Sequence, residues 1–138
     1  AVLQLTDKRS HSYVLLAGQE FVPSLDEEVG VLGYPLGEEL GREITFTRGT
    51  VNSVRRVEEL QLIQIDAVAT HGSSGAPVFR LKDWQVIGII HGGVKQEIAY
   101  GLNFAISIQE IYRRLSKGKQ GAHFYSTQRE RHNEIKEP

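Results

Sequence analysis

The sequence lacks several features that would indicate a particular ligand or partner. It contains no cysteine, so neither disulfides nor thiolate metal ligands can form. Its 16 basic and 17 acidic residues leave a formal net charge of −1, which gives no field to attract nucleic acid or an anionic membrane. No apolar run approaches the length needed to span a bilayer. These absences predict a chain with neither a nucleic-acid nor a membrane partner.

Cofactor motifs and an initiating methionine are missing as well. The chain begins at Ala1 and has no methionine, so we expect a start codon, a signal peptide or a further segment upstream, and the compartment cannot be read from such an N-terminus. The five histidines lack the paired spacing of zinc sites, and no phosphate-binding or dinucleotide pattern is present. We therefore expect no metal and no cofactor. The 138 residues, 40% hydrophobic and 24% charged, are typical of one compact domain.

Short apolar or alternating runs, separated by turn residues, are the main pattern that is present. These runs predict strands at residues 1–5, 13–16, 29–34, 44–47, 50–56, 60–65 and 76–79. Gly49 interrupts the alternation and predicts a bulge or a tight bend. Because no strand alternates with a helix, the spacing predicts an all-β fold, either an antiparallel barrel or a sandwich.

One helix is predicted near the end of the chain. Ser107 and Glu110 have the spacing of a capping box, in which each side chain satisfies a backbone N–H at the helix start. One apolar face follows at helical spacing, formed by Ile108, Ile111, Tyr112 and Leu115. Gly118 is a plausible stop. The polar residues 118–138 are predicted to be a charged tail or a linker.

A glycine-flanked serine pair lies near the middle of the chain, in the segment THGSSGAPVF at residues 70–79. A nucleophilic serine must sit on a tight turn, so that backbone N–H groups beside it point at the oxyanion that develops. Gly72 leaves room for a substrate, and Gly75 can adopt dihedrals that a Cβ would resist. The same residues are compatible with a flexible turn between two strands. An α/β-hydrolase elbow is disfavoured because Ala76 stands where that motif has its second glycine.

Four segments together carry a resemblance to one family: residues 29–37, 72–79, 86–94 and 100–106. In order and spacing they resemble the chymotrypsin-fold serine endopeptidases, especially the cysteine-poor glutamyl endopeptidase and HtrA branches. The resemblance implies that residues 1–117 are the C-terminal portion of a trypsin-like peptidase domain. Its fold would be the second antiparallel β-barrel of the double barrel, followed by the C-terminal helix.

The resemblance also implies a set of site residues. Ser74 corresponds to the nucleophile, and the backbone N–H groups of Gly72 and Ser74 to the oxyanion hole. Ser73 stands where disulfide-rich relatives carry an aspartate that pairs with a newly cut N-terminus, and we expect it to be a turn residue. Asp66 resembles an aspartate that HtrA-like sequences carry before the active loop, and we expect it to shape that loop. The substrate-binding residues would be Val68, His71, His91, Gly92 and Gly93.

The specificity of such a site depends on the position of His91. Glutamyl endopeptidases use a histidine to bind an acidic substrate side chain, but the register of the family places Ile90 at that position. Since alternate residues of a strand face opposite ways, the imidazole of His91 would turn away from the pocket or lie at the cleft edge without a specific role.

The histidine base and the aspartate of the triad would both precede this chain. The family resemblance therefore implies a serine endopeptidase that acts on a peptide or protein through an acyl-enzyme on Ser74. It also implies a missing N-terminal barrel or segment as a necessary partner. The alternative is a non-catalytic peptide-binding or scaffold domain, in which an extended peptide pairs with the strand at residues 89–93.

Overall fold

The residues that the structure describes form six strands and one helix. The structure is a computed structural model that describes residues 11–34, 43–57, 59–70, 72–91 and 102–116. The elements are β1 (Glu28–Gly33), β2 (Thr45–Val57), β3 (Leu60–Ile65), β4 (Pro77–Arg80), β5 (Gln85–Ile90), β6 (Asn103–Ser107) and α1 (Ile108–Ser116). Within the described ranges, no helix is long and apolar enough to cross a membrane.

The six strands form a closed antiparallel barrel. Their order is β1-β2-β3-β6-β5-β4, and the barrel closes because β4 pairs back onto β1. In that pairing Val31 lies opposite Val78, and Val29 lies opposite Arg80. The prediction of an all-β fold with an antiparallel barrel and a C-terminal helix is confirmed.

Small branched side chains fill the barrel interior. Alternation along β1 and β3 turns every second residue inward, and those residues are almost completely buried. The interior includes Val29, Val31, Val51, Ile63, Ile65, Val78, Ile87, Ile90 and Ala105, each at most 6% exposed. Burying a side chain of this size stabilises the fold by about 1.5–3 kcal/mol, so this core is the main source of stability.

The predicted strand at residues 13–16 is wrong. Only Leu16 makes a bridge, and it is parallel to Val86. The Val86 amide donates to the Leu15 carbonyl at 2.8 Å, and the Ala17 amide donates to the Val86 carbonyl at 2.9 Å. The pairing stays this short because β6 takes the same edge of β5 from Gly88 onward. An apolar run is not sufficient for a strand when no free sheet edge of matching length exists.

The predicted interruption at Gly49 is wrong as well. β2 runs through Gly49, which pairs with Val29. The bulge lies three residues later, where the register with β3 shifts between Val51 and Ser53. Two other predicted segments, the strand at residues 1–5 and the tail at residues 118–138, lie outside the described residues.

A surface groove of about 400 Å³ lies between the β1–β2 and β4–β5 hairpins. The ring of Phe46 forms one wall and lies directly over Gly30, where a Cβ would come within 2.2 Å of Phe46 Cζ. Trp84 packs beside Phe46 with their ring centroids 5.8 Å apart. The lining is mostly apolar and consists of Tyr13, Val14, Leu15, Leu32, Phe46, Phe79, Asp83 and Trp84.

The helix α1 begins with half of the predicted capping box. Ser107 Oγ accepts a hydrogen bond from the Gln109 amide at 3.3 Å, as an N-cap residue should. Glu110 does not return to Ser107. Its carboxylate, only 3% exposed, accepts instead from Arg113 Nη2 at 2.6 Å and from Arg114 Nε at 3.1 Å. The two arginines, one turn further along the helix, thus replace the Ser107 amide as partners of the carboxylate. Their hydrogen bonds, chiefly those from Arg113, lower the pKa of Glu110.

We predict a pH-dependent effect of Glu110→Gln on stability. At pH 7 the amide loses the charge-assisted bonds, and the free energy of unfolding should fall by about 1 kcal/mol. The folded-state pKa is depressed, so the stabilisation is present above the ordinary glutamate pKa of about 4.3 and is lost as the pH falls through the lower folded-state value. Urea unfolding followed by circular dichroism should therefore show a difference between the two proteins at pH 7 that shrinks below pH 4. A difference independent of pH would contradict this account.

Candidate active site

The glycine-flanked serine lies on an exposed loop between β3 and β4. Ser74 is exposed to solvent, and the glycines on either side have the positive φ angles that favour glycine, 92° at Gly72 and 90° at Gly75. The loop enters β4 at Pro77. His71 lies outside the described residues.

Ser73 holds the turn together. Its amide donates to the Thr70 carbonyl at 2.9 Å, and its Oγ accepts from the Thr70 amide at 3.2 Å. Its carbonyl accepts from the Ala76 amide at 2.9 Å, and the side chain is 4% exposed. Ser73 therefore has the turn role that the sequence indicated, and its hydroxyl is not available to a substrate.

The amides of Gly72 and Ser74 are the oxyanion donors that the resemblance implies. No described residue accepts a hydrogen bond from either amide, and both residues are exposed. The rest of the loop is anchored to β5, because Gly75 donates to the Ile90 carbonyl and Ile90 donates to the Ala76 carbonyl, both at 2.9 Å. The loop thus combines a fixed path with two amides open to a ligand. Their assignment as an oxyanion hole remains a prediction.

Asp66 fixes the chain where it leaves β3. Its Oδ1 accepts from the Thr50 amide at 2.5 Å, and its Oδ2 accepts from Thr50 Oγ1 at 3.2 Å. The hydrogen bond from the Thr50 amide is the main cause of the lowered pKa of Asp66. Gly49 makes this approach possible, since a Cβ there would lie 2.3 Å from the Ala67 amide nitrogen. These contacts give Asp66 the loop-shaping role that was expected of it.

Two polar residues that the sequence analysis did not single out also hold this segment. Asn103 Nδ2 donates to the Ala67 carbonyl at 2.7 Å, and Thr47 Oγ1 donates to the Val68 carbonyl at 2.8 Å. Their partners are backbone atoms far away in the sequence, so no spacing rule could have found them. The only available signal was an amide side chain among the apolar residues that open β6.

The expected substrate-binding residues are only partly described. Val68 is 63% exposed, and His91 is exposed with its amide donating to the Phe104 carbonyl at 2.9 Å. Ile90 is 6% exposed and packs in the core, so the residue at the position of the glutamyl endopeptidase histidine faces the barrel interior. Gly92 and Gly93 lie outside the described residues. The substrate-binding assignments therefore remain predictions.

A metal-binding cluster and the surface groove are the two other features that could mark a functional site. In the part of the chain that the structure describes, no group of three or more His, Cys, Asp or Glu residues could hold a metal ion. The groove beside Trp84 shares no lining residue with the segment from Asp66 to Ala76. The Ser74 loop is the candidate active site, because it places an exposed serine beside two backbone amides without a described acceptor.

We predict that Gly49→Ala disturbs the Ser74 loop. The added methyl would overlap the backbone of Ala67, and overpacking of this kind costs about 1–3 kcal/mol. Gly18→Ala is the matched control, since a Cβ at Gly18 meets nothing within 4 Å. Thermal unfolding of the two variants should show a clear loss for Gly49→Ala alone. Equal melting temperatures for the two variants would show that the backbone near Ala67 can shift to accommodate a methyl group at position 49.

Comparison with known proteins identifies the family. The family profile of the trypsin-like peptidase domain matches residues 1–89. The chain belongs to the trypsin-like peptidase family, as its sequence predicted.

Two relatives are Do-like proteases of Arabidopsis thaliana. The mitochondrial protease Do-like 3 is 40% identical over 63 residues, which cover 41% of this chain and 11% of that protein. Protease Do-like 13 is 38% identical over 63 residues, which cover 41% of this chain and 12% of that protein. The matched segment is thus about a tenth of the length of these relatives.

A solved structure confirms the fold assignment. The HtrA-type protease AlgW, in a substituted form with a decapeptide, superposes with a TM-score of 0.58 at 20% sequence identity. The match covers 70% of this chain and 29% of that one. The chain therefore has the barrel fold of an HtrA-type protease.

Proposed function

We propose that the chain supplies the nucleophile and the oxyanion hole of a serine endopeptidase. The observation that supports this most directly is the state of the Ser74 loop. An exposed serine sits between two glycines of positive φ, the loop is anchored at both ends, and the amides of Gly72 and Ser74 have no described acceptor. Membership of the trypsin-like peptidase family makes peptide-bond hydrolysis the reaction that this arrangement suits.

The proposed mechanism follows from the chemistry of a serine hydroxyl. Ser74 Oγ attacks the scissile carbonyl, and the amides of Gly72 and Ser74 bind the oxyanion of the tetrahedral intermediate. Removing one such donor typically costs about 10²–10³ in turnover. Collapse of the intermediate expels the amine and leaves an acyl-enzyme on Ser74, which water then hydrolyses.

The base that accepts the serine proton is proposed to lie in another part of the protein. His91 is exposed and its amide donates to the Phe104 carbonyl at 2.9 Å, whereas the resemblance to trypsin-like peptidases draws the base from the opposite barrel. We infer that residues 1–117 form the C-terminal portion of the peptidase domain, with residues 118–138 as a charged tail. An N-terminal barrel would then bring the histidine and the aspartate across the cleft.

The alternative of a peptide-binding scaffold finds little support in the barrel. β5 is paired with β4 on one edge and with β6 on the other, and the β6 side continues to the amide of His91. A peptide cannot add to a strand whose edges are both occupied. A bound peptide could pair only with residues beyond His91. A peptidase substrate would need the same residues, so such pairing does not favour the scaffold alternative.

We predict that a fluorophosphonate probe labels Ser74 in the complete protein. Only a serine with an activating base reacts quickly, and Ser74→Ala should abolish labelling and lower peptide turnover by about 10³-fold or more. Ser116→Ala, remote on α1, is the matched control and should retain both activities. Mapping of the labelled peptide by mass spectrometry identifies the modified residue.

The isolated chain provides the contrast for this test. Residues 1–138 alone should neither label nor cleave, because the base contributes about 10²–10⁴ in rate. Ser74-dependent cleavage by the isolated chain would mean that the base is internal, with His71 or His91 the first to mutate. A complete protein that binds peptides but is never labelled would favour the scaffold alternative.

We predict a preference for an apolar or small residue before the scissile bond. Gly92 and Gly93 have no side chains to close the pocket wall, and Val68 brings no charge. Profiling the complete enzyme on a mixed peptide library measures this preference directly. A strong preference for Glu or Arg at that position would contradict the assignment of these residues.

A further inference from the structure

The chain between β3 and the Ser74 loop is held by hydrogen bonds to two strands after the sheet has ended. The last residue of β3, Ile65, pairs with Val51 of β2 on one side and with Asn103 of β6 on the other. Backbone pairing with β6 ends at Ile65. The next three residues are nevertheless bonded on both sides.

Side chains replace most of the backbone hydrogen bonds over these three residues, and the remaining backbone bond joins the Asp66 amide to the Thr50 carbonyl at 3.3 Å. On the β2 side, Thr50 binds the Asp66 carboxylate, and Thr47 Oγ1 donates to the Val68 carbonyl at 2.8 Å. On the β6 side, Asn103 Nδ2 donates to the Ala67 carbonyl at 2.7 Å. The carbonyls of Ala67 and Val68 are therefore met by donors from two different strands, β6 and β2. The two donors together hold the backbone of this segment at a fixed position between β2 and β6.

We propose that Asn103 and Thr47 are positioning residues that set substrate selectivity by holding the backbone at Val68. This inference rests on the proposed peptidase function, in which Val68 lies near the base of the pocket for the residue before the scissile bond. Ala67 is fully buried, whereas Val68 is 63% exposed. The two donors therefore fix the backbone that carries the exposed Val68 side chain. A shift of about 1 Å in a substrate-positioning element can cost about 10²-fold in rate.

Near-isosteric substitutions can remove each donor with little change in volume. Asn103→Asp keeps the shape of the side chain but replaces the N–H donor with an oxygen that repels the Ala67 carbonyl. Thr47→Val replaces the hydroxyl with a methyl group, and valine is well suited to a strand. Thr47→Ser restores the hydroxyl and serves as the rescue. Glu110→Gln serves as the control for a general loss of stability, because its hydrogen-bond partners are Arg113 and Arg114 of α1 and not the segment at Val68.

The experiment uses the complete protein, with active sites counted by fluorophosphonate titration. For each variant, kcat and KM are measured on peptides that differ only in the residue before the scissile bond. The selectivity is the ratio of kcat/KM for the peptide with the preferred residue to kcat/KM for the peptide with the bulkiest residue. We expect Asn103→Asp and Thr47→Val to reduce this ratio by about tenfold, which is within the range of discrimination that pocket contacts provide. Thr47→Ser and Glu110→Gln should leave this ratio unchanged. A uniform fall for all peptides, or no change in the ratio, would overturn the proposal.

Hydrogen exchange separates this inference from the proposed function. In Asn103→Asp and Thr47→Val, the peptide containing Asp66 to Gly75 should exchange faster than in the parent protein, and in Glu110→Gln it should not. If the parent protein never labels at Ser74, the proposed function fails, and selectivity set through this segment fails with it. If the parent protein labels and cleaves but exchange in this peptide is unchanged, only the positioning role is refuted.

Discussion

The pairing of β4 with β1 is the contact on which the rest of the structure depends, because it turns a six-strand sheet into a closed barrel. β4 has only four residues, yet β1 binds one of its edges and β5 binds the other. Closure removes the free edges of the sheet and lets the inward residues of all six strands share a single interior. The start of β4 lies beside β5, and β5 is separated from β3 by β6. The chain between β3 and β4 must therefore cross from one side of the barrel opening to the other.

That crossing explains why an exposed loop can have a defined shape. At its start the segment is bound to β2 and β6, and at its end Gly75 and Ala76 are bound to Ile90 of β5. Only the residues around Ser74 are left without such anchors among the described contacts. The conformation around the serine is consequently imposed by the barrel, and the barrel in turn is stabilised by apolar burial far from any chemistry. This division allows an exposed, polar site to exist at little cost to stability.

Sequence patterns predicted well those features that depend on neighbouring residues. β3 has the predicted bounds, and α1 follows from its apolar spacing. The sequence patterns failed where contacts with residues far away in the sequence determine the local structure. Residues 13–16 were too apolar to distinguish from a strand, and Gly49 is required by contact with Ala67 rather than by a break in β2. Asn103 was missed for the same reason, since its partner is the carbonyl of a residue 36 positions earlier.

The groove beside Trp84 gives the chain an optical property that is separate from its core. Trp84 is the sole tryptophan of the sequence, is 55% exposed, and lies 5.8 Å from Phe46 and 6.1 Å from Phe79 between ring centroids. Its indole is already half in water in the native state, so the emission of the folded protein should be red-shifted and should change little when the barrel interior is exposed. Intrinsic fluorescence of this chain would therefore report on the solvation of one surface groove, and far less on the state of the fold.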